Sequence, residues 1–125
     1  MTQEDKELLL KDLCARLPYG VIVRLDYRDG TVVTREMGLG SLHDIMFDNA
    51  ESKPYLRPMS SMTDEELKEF ISIHENVLVA SKNKYTIILS LDATDWLNAH
   101  HFDYRGLIEK GLAIEVTKEN NPYKD

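Results

Sequence analysis

Residue types suited to catalysis crowd together at one place in this chain, the run Trp96 to Ile114, WLNAHHFDYRGLIEKGLAI. Within it His100, His101, Asp103 and Arg105 form the one His/acid/Arg cluster, with Tyr104 between the last two. Metal ligation or general acid-base transfer would use such groups. The spacing does not single out either chemistry. Adjacent histidines point ~100° apart on a helix, so both reach one ion only if the helix ends between them, and no third ligand has a diagnostic spacing. Asp103 follows Phe102 and precedes Leu107, which suits an N-cap of a short helix ending at Gly111. Arg105 is expected either to pair with Asp103 or Glu109 or to offer its planar fork to a partner's carboxylate or phosphate.

The remaining candidates are scattered. His43 lies near Asp44 and Asp48, and His74 next to Glu75, neither at a catalytic spacing. No serine or cysteine sits in a nucleophile elbow beside a base. Gly38-Leu39-Gly40-Ser41 lacks the third glycine and the Lys-Ser/Thr ending of a phosphate cradle and is expected to be a turn. Cys14, the lone cysteine, falls beside Leu10, Leu13 and Leu17 and reads as a buried thiol used as a small hydrophobe. No catalytic residue, metal ligand or cofactor is assigned from these patterns.

The elements that must position the cluster follow from composition and periodicity. With 125 residues, 42% hydrophobic and 30% charged, the chain suits one globular domain. A formal charge of −7 with no basic run makes nucleic acid a poor partner. The acidic start, Met1 to Lys6, does not resemble a signal peptide, and no apolar run approaches the ~18 residues of a membrane span. A cytoplasmic setting without membrane association is the expectation.

Thr2 as cap and the stripe Leu9, Leu10, Leu13 and Leu17 predict a helix that Pro18 ends. A hairpin follows, Val21 to Tyr27 and Thr31 to Met37, with Arg28-Asp29-Gly30 as its loop and Gly30 left-handed. The register that keeps one face apolar sets Leu25 opposite Val33 and Val21 opposite Met37. Pro54 and Pro58 mark residues 41–61 as an extended connector crossing the surface. Thr63 with Glu66 forms a capping box, Met62 faces Leu67 as a staple, and Leu67, Phe70, Ile71 and His74 form an inner stripe. That helix ends near Glu75 or Ala80. Tyr85 to Leu91 reads as a central strand, Asp92 caps a further helix, and Leu112 to Val116 a final strand.

The fold class expected is therefore α+β: a single small domain over residues 1–117 with a mixed or antiparallel sheet, and a polar, frayed tail over 118–125. It comprises an N-terminal helix, a β-hairpin and a helix-strand-helix-strand C-terminal half.

Three segments carry a resemblance: the opening Leu8 to Leu13 leading to Leu17-Pro18-Tyr19-Gly20, the middle KPYLRPMSSMT from Lys53 to Thr63, and the closing HFDYRGLIEKGLA from His101 to Ala113. Over nearly its whole length the chain resembles small uncharacterised proteins of gut Bacteroides-type bacteria and their phages and prophages. That resemblance implies a bacterial cytosolic setting and a mobile-element origin, and transfers no catalytic residue.

The function expected is a non-enzymatic protein-interaction or accessory module. It would bind a protein partner through the Lys53–Ser61 connector and the His100–Arg105 turn, with Tyr55, Arg57, His100, His101, Asp103, Tyr104 and Arg105 as contact residues, types that suit interfaces. The alternative is a metal-assisted hydrolase or nucleic-acid-processing enzyme in which His100 or His101 works with Asp103, and Arg105 stabilises an anion. A third reading is an acidic surface that mimics nucleic acid.

Overall fold

A computed structural model describes residues 2–47, 49–73 and 91–123. The chain is a small α+β domain, and the described residues form a mixed sheet of five strands. Helix α1 spans Gln3–Arg16, with the Thr2 hydroxyl accepting from the Asp5 N–H at 3.0 Å. A 3-10 turn over Leu17–Tyr19 then carries Pro18. Strands β1 (Ile22–Tyr27) and β2 (Val32–Glu36) form the expected hairpin, with Leu25 opposite Val33. The Met37 N–H continues that register onto the Val21 carbonyl at 2.8 Å. Gly30 closes the loop at φ +92°, a conformation costly for any residue with a Cβ.

Residues 38–61 depart from the expected turn and surface connector. Gly38 caps a two-turn helix, α2 (Leu39–Met46), and Ala50–Pro58 form β3, the longest of the described strands, between β1 and the short C-terminal strands. Ala50, Ser52, Pro54 and Leu56 are buried on one face, while Glu51 and Lys53 are exposed on the other. Pro54 is tolerated by its register. The Arg28 N–H bonds the Asn49 carbonyl, so hydrogen-bonded pairs fall at every second position, and Pro54 opposite Val23 occupies a non-bonded pair where no N–H is required of it. Beyond Pro54, β3 pairs in parallel with β5 (Ile114–Glu115) and then with β4 (Phe102–Asp103).

Helix α3 (Asp64–Ile73) starts with the expected capping box: the Thr63 hydroxyl accepts from the Glu66 N–H at 3.1 Å and Glu66 accepts from the Thr63 N–H at 3.0 Å. Its apolar stripe is only partly buried. Phe70 is inside, whereas Leu67 and Ile71 are exposed, so Leu67 does not serve as the buried half of a staple. Helix α4 spans Leu91–Ala99. The end of α3 beyond Ile73, His74 with Glu75, and the strand expected from Tyr85 lie outside the described residues.

Among the described residues the buried apolar side chains fall into two clusters. One cluster joins Leu9 and Leu13 of α1 to Val21, Val23, Leu25, Ile45, Leu56, Leu107 and Leu112. The second joins Phe70, Ala93, Trp96, Leu97 and Phe102. Three sequence expectations are corrected here. Cys14 is exposed, because Leu9, Asp12, Leu13 and Arg16 form the inward stripe of α1 and position 14 lies ~100° round from Leu13. Residues 107–111 make a turn and no full helix, closed by Leu112 N–H to the Leu107 carbonyl and Gly111 N–H to Ile108, with Gly111 at φ +73°. The tail expected to fray is anchored, since Tyr123 is half-buried against β1 and β3. Among the described residues no helix is long and apolar enough to cross a membrane.

Candidate functional site

The seven residues expected to make contacts meet where the two apolar clusters join, and most are already engaged by the protein itself. Asp103 ends β4 and spends both carboxylate oxygens on backbone donors, the N–H of Leu107 at 3.0 Å and of Ile108 at 2.9 Å. Its role is structural, but it closes the 103–108 loop and caps no helix, since residues 107–111 form a turn. Arg105 pairs with neither Asp103 nor Glu109. Its Nε donates to Asp12 Oδ1 at 3.1 Å, across 93 residues of sequence.

Asp12 is the centre of a buried charged knot that sequence reasoning missed. Its other oxygen accepts from Arg16 Nε at 2.7 Å, one helical turn on, and both side chains are fully buried. Arg16 also donates through Nη2 to the Phe102 carbonyl at 2.6 Å, which ties α1 to β4. Its Nη1 is buried with no hydrogen-bond partner among the described residues. The guanidinium groups of Arg16 and Arg105 stand over the Tyr104 ring at 5.1 and 5.0 Å, a cation–π arrangement. The Tyr104 hydroxyl donates to the Oδ1 of buried Asn98 at 2.9 Å. Asp12 and Arg16 share the i, i+3, i+4, i+7 stripe with Leu9 and Leu13, so their burial had a sequence signal in the spacing alone.

A second knot lies on the other side of Phe102. Arg57 forks both Glu66 oxygens at 2.7 Å each, donates to the Ser61 carbonyl at 3.2 Å, and stacks 4.2 Å above the Phe102 ring. The Arg57 bond, aided by the Thr63 N–H and hydroxyl, overrides partial burial and holds the Glu66 carboxyl down at about 2. His100 approaches Glu66 with Nδ1 3.7 Å from Oε2 and lies against Trp96, ring centres 4.1 Å apart.

His101 adopts φ +64°, a left-handed conformation that costs a residue with a Cβ roughly 1–2 kcal/mol. Its ring stacks on Tyr123 at 3.7 Å and 9°, and its carbonyl accepts from the Arg57 N–H at 2.8 Å. Burial, reinforced by the charge of Arg16, then of His100 and Arg57, lowers the His101 pKa to about 4, so the ring is neutral at pH 7. Its Nδ1 is buried with no hydrogen-bond partner among the described residues. Tyr123 completes the seam: its hydroxyl accepts from the Ile22 N–H at 3.0 Å and donates to the Tyr55 carbonyl at 2.7 Å. Those two residues would form the next hydrogen-bonded pair of the β1–β3 ladder, and the phenol stands between them. Burial pushes its pKa up to about 12. Tyr55 itself is half-buried and joins the site through its backbone.

This arrangement suits cohesion between two halves of a domain. Asp12, Glu66 and Asp103 each accept hydrogen bonds on both carboxylate oxygens from groups of the protein itself. Among the described residues no three His, Cys, Asp or Glu side chains come together in a way that could hold a metal ion.

The exposed chemistry is elsewhere. On α2, Ser41 and Ile45 face inward, while Leu39, His43, Met46 and Phe47, spaced i, i+4, i+7 and i+8, face outward. Leu39 is 74% exposed, Phe47 64% and Met46 53%, and the His43 and Phe47 rings are 4.6 Å apart. This stripe was missed because the segment read as a turn and connector. Compared with protein-family models, with curated proteins and with solved structures, the chain matches none.

Proposed function

We propose that this protein is a non-enzymatic interaction module that docks another protein on the outward stripe of α2. The observation that carries the reading is the exposure of Leu39, Met46 and Phe47 along one helix face. An apolar row of this kind, singly spaced on a short helix, is a common way for a helix to enter a partner's groove. The expected contact residues Tyr55, Arg57, Asp103 and Arg105 serve the domain's own cohesion, so the contact surface moves from the His100–Arg105 turn to α2.

Charge selects the occupant. Asp44 belongs to α2, Glu36 and Glu51 are exposed on neighbouring strands, and the chain carries −7 overall. A second copy would set −7 against −7, so the fitting partner is a different protein with an apolar groove rimmed by Lys or Arg. The resemblance to small proteins of Bacteroides-type bacteria and their phages supports an accessory role in a mobile element.

The test is native affinity capture from a Bacteroides-type host with the wild-type chain and with Leu39→Asp/Phe47→Asp, each checked for folding by circular dichroism. A stoichiometric basic partner that is lost in the variant and weakened by salt supports the reading. Capture that is insensitive to the two substitutions, or self-association by light scattering that they abolish, overturns it. The hydrolase reading has no observation in its favour beyond the proximity of His100 and His101.

A further inference from the structure

Beyond β5 the tail is tied back to the domain through one side chain. The Val116 N–H bonds the Leu56 carbonyl at 2.9 Å, and after it the backbone hydrogen bonds of the described tail residues are internal to the tail. Asn120 Oδ1 accepts from the Thr117 N–H and hydroxyl, and Asn121 Oδ1 accepts from the Tyr123 N–H. Residues 117–121 are all exposed. The tie is Tyr123, whose ring lies on His101 and whose hydroxyl stands between the Ile22 N–H and the Tyr55 carbonyl.

Two features mark that seat as one of two arrangements. The first is that the phenol occupies a place the ladder itself can fill. The Arg28–Asn49 bond sets the phase of the β1–β3 pairing, Val23 lies opposite Pro54, and Ile22 with Tyr55 is the next hydrogen-bonded pair. Donor and acceptor are complementary, so neither is left without a partner when the phenol leaves and the strands close. The second is strain. His101 holds φ +64°, disfavoured for a residue with a Cβ, and its Nδ1 is buried with no hydrogen-bond partner among the described residues. Strain of this kind collects at segments that switch. We infer that the tail over 117–123 is a latch. With Tyr123 seated, its phenol wedges β1 from β3; with Tyr123 withdrawn, the Ile22 N–H bonds the Tyr55 carbonyl directly and the ladder lengthens by one pair. The exposed 117–121 turn is the handle by which an effector draws the latch. The device is separate from the outward stripe of α2 and does not depend on the docking proposal.

The experiment is NMR on the full chain, reading the scalar coupling across the hydrogen bond from the Ile22 nitrogen to the Tyr55 carbonyl carbon, together with amide exchange at Ile22. Three proteins separate the hydroxyl of the phenol from its bulk. The wild type should show no coupling. Tyr123→Phe keeps the wedge and loses the bridge, so the coupling stays absent and Ile22 exchanges about tenfold faster, the worth of one hydrogen bond. Tyr123→Ala removes the wedge, so the coupling appears and exchange at Ile22 returns to within about threefold of wild type. A coupling already present in the wild type, no coupling in Tyr123→Ala, or equal exchange at Ile22 in Tyr123→Phe and wild type would each overturn the latch. Loss of the folded spectrum in Tyr123→Ala would do the same, because a part that must stay seated for the domain to fold is a structural element and no latch.

Discussion

Replacing Asp12 with alanine should be among the most damaging single changes available in this protein. Asp12 and Arg16 are both fully buried, and the carboxylate accepts from Arg16 at 2.7 Å and from Arg105 at 3.1 Å. Without it Arg16 keeps only the Phe102 carbonyl, and a buried cation stripped of its counter-ion costs ~3–5 kcal/mol. Arg105 is 19% exposed and can turn to water, adding ~0–1 kcal/mol. A domain of 125 residues has roughly 6–19 kcal/mol of stability in all, so the loss is a large share. The double variant Asp12→Leu/Arg16→Met separates charge from packing. It removes both buried charges, strands the Phe102 carbonyl at ~1–3 kcal/mol and releases Arg105 as the single variant does, so it should be more stable than Asp12→Ala alone. Urea unfolding at unchanged m-value measures all three proteins. If Asp12→Ala falls within ~1 kcal/mol of wild type, or the double variant is the least stable, the ion knot does not organise the seam as argued.

Acid should weaken the protein partly through Glu66. Its folded pKa of about 2 lies below the ordinary value of 4.5, so its contribution is present above pH 4.5 and lost as pH falls towards 2; Glu66→Gln should flatten the stability–pH curve in that window. His101 adds a second window. Its folded pKa of about 4 lies below 6.5, so the unfolded chain takes up the proton first and stability declines from pH 6.5 to 4; an NMR midpoint near 6.5 for this ring would contradict its burial under Tyr123. Tyr123→Phe should cost ~1–3 kcal/mol by leaving the Ile22 N–H and Tyr55 carbonyl without the hydroxyl between them, seen as faster hydrogen exchange at Ile22; unchanged exchange would mean that the two strands close the gap themselves.

What could be read from the sequence was local. Asp29-Gly30 between two alternating runs fixes the hairpin and its register, and Thr63 with Glu66 fixes the start of α3, because each depends on neighbours within a few positions. β3 was illegible for a defined reason. Proline argues against a central strand, and only its placement in a non-bonded pair, set by the register with β1, removes the objection. α2 was hidden by the glycines at its start, which favour a turn when read without the packing of Ile45. In the site, a structural use of Asp103 was legible but the helix it was expected to cap is absent, and the true partner of Arg105 lies 93 residues away with no periodicity to link them. Burial of Asp12 and Arg16 sat in plain sequence spacing, but polar residues on an inward stripe are read as solvent-facing until a partner is known.

The Tyr123 hydroxyl that stands between Ile22 and Tyr55 bears on how the protein is made. Ile22 and Tyr123 are separated by 101 positions, and Arg16 and Phe102 by 86. At ~5–20 residues per second, a ribosome delivers Tyr123 about 5–20 s after Ile22. Through that interval the hairpin and α1 can assemble from local pairings, yet the β1–β3 junction lacks its phenolic bridge and Arg16 lacks the Phe102 carbonyl. Nascent chains therefore pass through a stage with a half-finished junction, in which Arg16 and Asp12 have only each other. The domain is sealed by residues made long after the strand and helix they join.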